Sequence, residues 1–313
     1  MPLSEEAKPT TPERPPAPVL SVLIVNYNAG DLLSEAVTAV LANALPLEVI
    51  VSDNGSADGS LEELEARHGN DPRLRVLRNG ANLGFAGGHN RALPLTRAPY
   101  LLFLNPDCIV GPETLTRLID FMAATPDAGM AGTIVRNPDG SEQQASRRRI
   151  PDPWVGLVRF LHLDRLWPNL LAGKRLNLMH APLPTRPLMV DAISGSLMLV
   201  RRQALEEVGP LDEGYFLHCE DLDWFVRFRN AGWPIYLVPI AEVRHHQGAC
   251  GVSRPFAVEW HKHKGMARFF RKFQFRDYPL PFSLLVLLGI WVHFAVFSLL
   301  EGGRRFLRLP RQG

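Results

Sequence analysis

Cysteine is scarce in this chain of 313 residues, which has only Cys108, Cys219 and Cys250 and no Cys-x-x-Cys spacing. An odd count without paired spacing argues against a disulfide framework or a structural zinc site and favours a reducing compartment. Residues 1–18 contain acidic residues and prolines but no apolar run, so they lack the pattern of a secretory signal. We expect residues 1–18 to form a disordered leader.

A strong net charge is also missing, since 34 lysines and arginines nearly balance 32 acidic residues to give +2. This balance gives no support for nucleic acid as a partner. The charge is unevenly distributed, however. From Phe256 to the C-terminus 10 lysines and arginines outnumber 3 acidic residues, so this part carries +7 and the remainder −5. A basic tail on a mildly acidic body favours an anionic surface as a partner.

The apolar content of 46% is enough for a full core, in one large domain with an appendage or in two modest domains. Short apolar runs alternate with segments of helical periodicity, which predicts βαβ units and a parallel sheet. The predicted strands are 20–25, 47–51, 74–77 and 100–104, and the predicted helices are 31–41, 61–67, 84–95 and 113–123. Residues 136–190 are rich in proline, contain the basic cluster Arg147-Arg148-Arg149, and are expected to form long connections. Beyond them we predict a strand at 193–200, a helix at 221–231, and strands at 235–238 and 241–245.

The segment 279–300 is the longest stretch without a formal charge, and basic residues flank it on both sides. A helix of this length, at ~1.5 Å per residue, spans about 30 Å, the thickness of a bilayer core. Its length and flanks favour a membrane attachment over a buried core helix. Because both flanks are positive, the sequence leaves open whether the helix spans the membrane, re-enters it or lies in its plane.

Polar residues follow three of the predicted strands, and in open α/β sheets ligands bind just outside such strand ends. The first strand is followed by Asn26-Tyr27-Asn28, and the second by Asp53-Asn54-Gly55-Ser56. A carboxylate such as Asp53 can accept the imino N–H of a pyrimidine base, although a turn with a helix cap would also explain this motif. The strand at 100–104 is followed by Asn105-Pro106-Asp107. Asp107 can hold Mg²⁺ or Mn²⁺ together with substrate phosphates; the alternative is a solvated turn.

Three further motifs carry possible chemistry. The turn from Gly80 to Asn90 is rich in small residues that let a phosphate approach the backbone, but it has neither a Rossmann nor a Walker spacing. Asp221, in Glu220-Asp221-Leu222-Asp223-Trp224, is either a helix N-cap or a general base for an acceptor hydroxyl. His245-His246 follows the last predicted strand, where a role at a metal or diphosphate is reasonable.

These motifs, in this order, resemble the family 2 glycosyltransferases of the GT-A fold, close to the rhamnosyltransferase-like branch. The resemblance spans residues 19–252 and is carried by 25–28, 53–56, 82–86 with Gly88 and Asn90, 105–107, and 220–224 with His245. It implies an α/β fold, with a mostly parallel GT-A sheet flanked by helices at 19–255. Residues 256–313 would then form basic, apolar, membrane-associated helices.

The resemblance also implies roles for individual residues in an inverting transfer from a nucleotide-diphospho-sugar. Asp221 would be the catalytic base, and Glu220 would assist it or contact the acceptor. Asp107 would bind Mg²⁺ or Mn²⁺, with His245 as a second ligand. The nucleotide-sugar would contact Asn26, Tyr27, Asn28, Asp53, Asn82, Gly84, Phe85, Gly88, Asn90, Asn105, Ser194 and Gly195. Asn26 and Asp53 would hold the base and ribose, and Ser194-Gly195 would lie beside the sugar.

One motif departs from the pattern of the wider family, which has Asp-x-Asp where this chain has Asn105-Pro106-Asp107. An asparagine coordinates a metal through its carbonyl oxygen more weakly than a carboxylate does, so we expect a modest metal affinity. The rhamnosyltransferase-like branch often has this same variant.

The resemblance favours dTDP-rhamnose as donor, with UDP-sugars next, and a saccharide or polyprenyl-linked acceptor in envelope polysaccharide synthesis at the cytoplasmic face of the membrane. Two other functions stay open. A sugar nucleotidyltransferase would carry a basic glycine-rich first loop, but residues 26–31 contain no lysine or arginine. A non-catalytic nucleotide-sugar-binding membrane module would be expected to lack Asp221 or Asp107, and both are present.

Overall fold

The structure is a computed structural model that describes residues 17–144, 146–160, 181–239, 243–246 and 255–308. Most of the predicted leader, residues 1–16, lies outside the described residues. So do Cys250, the stretch 161–180 of the predicted long connection, and residues 241–242 of the last predicted strand.

The first half of the chain forms the predicted βαβ units. Strands β1 (Leu20–Asn26), β2 (Leu47–Asp53), β3 (Leu74–Arg78) and β4 (Tyr100–Leu104) are parallel, in the order β3-β2-β1-β4. The connecting helices are α1 (Asp31–Leu41), α2 (Ser60–His68) and α3 (Gly84–Ala92), and a single 3₁₀ turn, Leu93–Leu95, completes the predicted helix 84–95. The central strands are continuous apolar runs because both faces of the sheet are covered.

The second half extends this sheet to eight strands with mixed directions. Beyond β4 the order continues β11-β6-β12-β9, with β11 (Leu197–Arg201) antiparallel to both β4 and β6 (Met130–Gly132). β12 (Ile235–Leu237) is parallel to β6, and β9 (Leu188–Met189) is an antiparallel edge strand. The predicted α/β class is therefore confirmed, with a parallel half and a mixed half.

Two small sheets lie beside the large one and place residues of the site. One pairs β8 (Arg147–Arg148) with β10 (Ala192–Ile193), and the other has the order β5-β13-β7, formed by Cys108–Val110, Val243–His245 and Val135–Arg136. These small sheets therefore bring distant segments of the chain together without a regular βαβ connection.

The prediction of one strand at 193–200 is wrong. β10 and β11 belong to different sheets, and residues 194–196 form a turn between them. The Oγ of Ser194 accepts the backbone N–H of Ser196 at 3.3 Å and lies 2.8 Å from the Ser196 hydroxyl. Such local side-chain bonds compete with the strand ladder, and Gly195 between the serines weakens a strand further.

The remaining helices are α4 (Thr114–Ala124), α5 (Pro153–Phe160), α6 (Arg202–Val208), α7 (Glu220–Asn230), α8 (Pro255–Phe273) and α9 (Leu280–Arg308). The core has one apolar layer on each face of the large sheet, so that alternate residues of β1, such as Leu23 and Ile24, belong to opposite layers. Phe269 of α8 belongs to the layer that contains α7, so α8 packs as part of the α/β body.

The apolar segment 279–300 is helical, as predicted. In the described part of the chain, Leu280–Gly302 of α9 is the one stretch that is long and apolar enough to cross a membrane. α9 packs against α8 through aromatic pairs, with Trp260 lying 5.3 Å from Trp291 and 5.5 Å from Phe294 between ring centroids.

Candidate active site

The ends of β1 and β2 form a rigid polar floor, because these parallel strands are in register with Asn26 beside Asp53. The side-chain amide of Asn26 donates to Asp53 Oδ1 at 2.9 Å and lies 3.0 Å from the hydroxyls of Ser56 and Ser60. Asp53 Oδ2 accepts the backbone N–H groups of Gly55 and Ser56 at 3.0 and 3.2 Å. Both predicted residues are buried, and the loop 53–56 is fixed around them.

Asn28 holds the first loop against the second. It adopts a left-handed conformation with φ of 54°, which asparagine tolerates better than most residues. Its N–H donates to Ser56 Oγ at 3.0 Å, and its Oδ1 accepts the N–H of Ala57 at 2.9 Å. Tyr27, beside it, is half-buried. The motif 26–28 is thus joined to the motif 53–56, as the resemblance implied.

The glycine-rich turn lies next to these loops. Asn82 Oδ1 accepts the N–H of Gly84 at 2.9 Å and an N–H of Asn54 at 3.3 Å. Gly84 has φ of 75°, and a Cβ there would come 2.3 Å from the carbonyl oxygen of Phe216, so only glycine fits. The backbone N–H of Phe85 donates to the same carbonyl at 2.9 Å. The turn therefore connects β2 to the loop before α7.

Two predicted residues of α3 have structural partners inside the chain. A Cβ on Gly88 would lie 2.8 Å from a methyl carbon of Val25, so Gly88 lets α3 approach β1. Asn90 donates to the carbonyl of Leu211 at 2.8 Å and to Glu213 at 2.9 Å, and its Oδ1 accepts the N–H of Leu211 at 3.2 Å. Both residues therefore hold α3 against neighbouring parts of the fold, and their contact with nucleotide stays a prediction.

Asp107 and His245, the two predicted metal ligands, are neighbours. His245 Nε2 lies 3.0 Å from Asp107 Oδ1 and 3.3 Å from the amide nitrogen of Asn105, and all three residues lie on adjoining strand ends. Gln143 fixes the imidazole. Its amide N–H groups donate to Asn137 Oδ1 and to the backbone carbonyl of His245, so its Oε1 accepts from His245 Nδ1 at 2.6 Å. This bond leaves Nε2 as the ring nitrogen that faces the carboxylate of Asp107.

This arrangement fits a divalent metal. His245 Nε2 and Asp107 Oδ1, 3.0 Å apart, require a proton or a cation between them. A second hydrogen bond that orients a histidine is typical of metal ligands. The Oδ1 atom of Asn105 is buried and has no hydrogen-bond partner among the described residues. No cluster of three His, Cys, Asp or Glu side chains occurs in the described ranges. Asp107, His245 and Asn105 would suit a cation that is held by few protein ligands together with phosphates.

Asp221 lies in the first turn of α7 and is mostly buried. Its Oδ1 accepts the N–H of Leu222 at 2.7 Å, and its Oδ2 forms an ion pair with Arg148 of β8. A Cβ on Gly195 would lie 2.7 Å from Asp221 Oδ2, so the absence of a side chain there leaves room for the carboxylate. The N–H of Asn105 donates to the carbonyl of Ser196 at 2.9 Å. The turn 194–196 therefore touches the Asn105 motif on one side and Asp221 on the other.

Glu220 is buried beside Asp221, and its Oε2 has no hydrogen-bond partner among the described residues. Burial, and then the charge of Asp221, raises the pKa of Glu220 to about 8. Burial therefore favours the neutral acid form of Glu220.

Asp221 faces a cavity of about 940 Å³ that extends to the C-terminal helices. Around Asp221 its wall is polar, with Arg148, Arg149, His218 and Glu220. Farther walls come from α5, α8 and α9 and include the apolar residues Val155, Leu157, Met266, Phe269, Val286 and Ile290. The volume is at the upper end of the range of small-molecule sites, roughly 300–1,000 Å³.

Three parts of this site were missed by the sequence analysis. The basic cluster 147–149 was noted but given no role, and Gln143 had no signal. A helix within 256–313 was predicted, but not that α8 would line this cavity. Alternation along β8 turns neighbouring arginines to opposite sides, but the sequence does not indicate which one meets Asp221.

The sheet, its polar strand ends and the cavity at α7 define a GT-A-type sugar-transferase architecture. The chain belongs to the family described as Glycosyl transferase family 2, whose sequence model matches residues 21–209. This confirms the resemblance drawn from the motifs.

Two curated relatives refine the comparison. The chain is 32% identical over 301 residues to an N-acetylglucosaminyl-diphospho-decaprenol L-rhamnosyltransferase of Mycobacterium tuberculosis, with 92% of this chain and 96% of the relative covered. It is 26% identical over 254 residues to the rhamnosyltransferase WbbL of Escherichia coli, with 77% and 88% covered. The predicted likeness to rhamnosyltransferases is thus confirmed.

Solved structures show the same fold. A mannosyltransferase of Pyrobaculum calidifontis, in complex with GDP-Man and Mn²⁺, matches with a TM-score of 0.55 and 17% identity, covering 94% of this chain and 82% of that one. GalNAc-T7 with UDP, GalNAc and Mn²⁺ matches with a TM-score of 0.55 and 17% identity, covering 73% and 44%.

Proposed function

We propose that this glycosyltransferase moves rhamnose from dTDP-rhamnose, with inversion, to a hydroxyl of a polyprenyl-linked saccharide. The observation that carries the proposal is the cavity that joins Asp221 to the apolar helix α9. A saccharide hydroxyl at Asp221 would then belong to a substrate whose lipid lies along α5, α8 and α9. The names of the two rhamnosyltransferase relatives support the sugar, and the mycobacterial name supports the diphospho-lipid acceptor.

The donor would lie across the strand ends. Asn26 and Asp53 would hold the base and ribose, and the turn at Asn82 and Gly84 would lie beside the nucleotide. Asn26 Oδ1 supports this role, because it is a buried acceptor without a partner among the described residues. Asp107 and His245, with the carbonyl of Asn105, would hold Mg²⁺ or Mn²⁺, which supplies positive charge opposite the departing diphosphate.

In the transfer step, the acceptor oxygen forms a bond to the anomeric carbon while the bond from that carbon to the diphosphate oxygen breaks. The acceptor oxygen attacks from the face opposite the leaving group, so the anomeric configuration is inverted. Asp221, on that face, takes the hydroxyl proton. Glu220, as a neutral acid, can donate a hydrogen bond to Asp221 or to the acceptor. Gly195 keeps the space in front of Asp221 open for the sugar.

The enzyme would work at the cytoplasmic face of the membrane, where α9 and the basic residues of α8 meet lipid. Eight large apolar side chains of α9 are exposed: Leu280, Leu284, Leu285, Leu288, Val292, Val296, Leu299 and Leu300. A face of this size is typical of a membrane or protein contact. Arg271, exposed in the last turn of α8, suits anionic lipid headgroups.

A donor panel tests the proposal. Full-length protein in detergent is given dTDP-rhamnose, UDP-sugars or GDP-mannose, with and without Mn²⁺ or Mg²⁺, and a short-chain prenyl-diphosphate saccharide as acceptor. We expect dTDP release and a product with the inverted anomeric configuration by NMR, and neither with Asp221→Asn. A retained configuration, or preferential use of another donor, contradicts the corresponding part of the proposal. Pyrophosphate release from a nucleoside triphosphate would instead indicate a nucleotidyltransferase.

A further inference from the structure

The basic cluster 147–149 is divided by the geometry of β8. Arg147 and Arg148 are successive residues of a strand, so their side chains leave on opposite sides. Arg147 forms an ion pair with Glu142 and donates to the carbonyls of Ala181 and Pro182. Arg148 turns to Asp221 and into the cavity. Arg147 therefore serves the fold, and Arg148 is left at the reaction centre.

Arg148 has unused hydrogen-bonding capacity. Its Nη2 pairs with Asp221, but its Nε is buried and has no partner among the described residues. An unpaired buried donor costs about 1–3 kcal/mol, and more when it is charged. The Nε and Nη groups of an arginine form a planar fork that matches two oxygens of a phosphate. This side chain is therefore suited to an anion in the cavity.

A second cation faces the same space. Lys262 of α8 lines the cavity and pairs at 3.0 Å with Glu259, which precedes it on the same helix and also lines the cavity. Arg148 and Lys262 therefore line the same cavity as Asp221 and the apolar walls of α8 and α9.

We propose that Arg148 and Lys262 bind the diphosphate group of the lipid-linked acceptor. This inference rests on the proposed function. In a saccharide joined to lipid through a diphosphate, the attacking hydroxyl and the phosphate belong to one short unit, so a guanidinium that touches Asp221 can also reach the phosphate. A diphosphate that draws Arg148 away from Asp221 leaves the carboxylate free to accept the hydroxyl proton. The charge of the acceptor's diphosphate thus frees the Asp221 carboxylate to act as the base.

Three acceptors with the same sugar separate this role from others: a short-chain prenyl diphosphate, the corresponding monophosphate and an alkyl glycoside without phosphate. Full-length wild type, Arg148→Gln and Lys262→Gln are compared, with Lys264→Gln as the matched control because Lys264 is exposed on the same helix and does not line the cavity. We expect Arg148→Gln to lower kcat/KM about 100-fold and Lys262→Gln about 10-fold for the diphosphate acceptor. Neither variant should show this loss with the phosphate-free acceptor, and Lys264→Gln should match wild type with all three acceptors.

The outcomes distinguish the inference from the proposed function. An equal loss on all three acceptors, or an increase in the KM of the donor with unchanged acceptor preference, overturns the diphosphate role of Arg148 while transfer by wild type stands. A wild type that transfers to none of the acceptors overturns the proposed function and this inference with it. A second measurement needs no turnover: inorganic pyrophosphate without divalent metal should raise the Tm of wild type and of Lys264→Gln but not of Arg148→Gln. An equal rise in all three proteins overturns the inference.

Discussion

The Nε2 atom of His245 lies 3.0 Å from Oδ1 of Asp107, across two strand ends that are more than a hundred residues apart in sequence. Gln143 holds the other imidazole nitrogen, so Nε2 is the ring nitrogen that faces the carboxylate. We predict that Asp107→Asn and His245→Ala each raise the Mn²⁺ concentration for half-maximal transfer at least 10-fold. Gln143→Leu, which removes only the orienting bond, should raise it roughly 10-fold. Titration of activity with Mn²⁺ measures all three.

Asp139→Asn is the control for these substitutions, because Asp139 is an exposed carboxylate that bonds only Ser141 among the described residues. Its Mn²⁺ response should be that of wild type. If Asp107→Asn also responds like wild type, Asp107 and His245 form a structural ion pair and the metal role is wrong.

Asp221 and Asp223 are two residues apart on α7 but have different surroundings. Asp221 faces the cavity, whereas Asp223 is fully buried between Arg227 at 2.7 Å and Lys272 at 2.6 Å. We predict that Asp221→Asn lowers kcat by about 10²–10⁴-fold, because it removes a general base. Asp223→Asn should lower the free energy of unfolding by about 2 kcal/mol or more, since it leaves two cations without their buried partner. Loss of stability without loss of kcat in Asp221→Asn would contradict its assignment as base.

Glu220 makes stability depend on pH. Its pKa is raised to about 8 in the fold from an ordinary value of 4.5, so the folded protein holds a proton that the unfolded chain releases between these values. The stabilisation is complete below pH 4.5 and is lost as the pH rises to about 8. We predict that Glu220→Gln gains Tm relative to wild type between pH 5 and pH 8.5, by roughly 2–4 °C for each kcal/mol. A pH-independent difference in Tm would show that Glu220 is ionised in the fold throughout.

The strand ends of the donor side were predictable because the signals there are local. The apolar run Tyr100–Leu104 ends at Asn105, and the register of parallel strands brings Asn26 beside Asp53 without further information. The same logic failed at residues 193–200, where two serines bond each other across Gly195 and separate what looked like one strand. A serine hydroxyl that replaces a strand-to-strand hydrogen bond does not change the pattern of apolar residues, so the sequence did not indicate the turn.

The acceptor side was not predictable, because its contacts join distant segments. Arg148 meets Asp221 through a two-stranded sheet that no periodicity indicates. In α8, histidines and lysines interrupt the apolar residues, so the burial of Phe269 and Phe270 of this predicted helix in the core was not foreseen. The sequence therefore predicted the residues of the proposed donor site better than those around the proposed acceptor site.

Gly195 is a sensitive position in front of the base. A methyl group there would lie 2.7 Å from Asp221 Oδ2, too close for contact without movement of the carboxylate. We predict that Gly195→Ala lowers kcat about 100-fold, as displacement of a catalytic group by about 1 Å does, and leaves the KM of the donor unchanged. Gly302→Ala, where a Cβ meets nothing within 4 Å, is the control and should match wild type in steady-state kinetics. A Gly195→Ala enzyme with normal kcat would mean that Asp221 moves freely or does not act as base.

The two faces of α9 have different partners. Trp291 and Phe294 pack against α8, and the row Leu284, Leu288, Val292 and Val296, spaced by one helical turn, is exposed. We predict that Leu284→Glu combined with Leu288→Glu reduces sedimentation of the full-length protein with anionic vesicles at least 10-fold, because a charge buried in lipid costs roughly 2–4 kcal/mol. Transfer to a lipid-linked acceptor in those vesicles should fall in parallel, and transfer to a soluble short-chain acceptor should stay within about twofold, since neither leucine lines the cavity.

Leu188→Glu combined with Met189→Glu is the matched control for α9. These two residues are exposed apolar side chains on the edge strand β9, and they give the same change in charge away from the C-terminal helices. If both double variants lose vesicle binding equally, general repulsion from anionic lipid explains the effect. If the α9 double variant keeps full vesicle binding, α9 does not enter the bilayer and its exposed face must be covered by protein. Selective loss in the α9 variant, with soluble transfer intact, would show that the apolar face delivers the enzyme to lipid-linked substrate and is separate from the chemistry at Asp221.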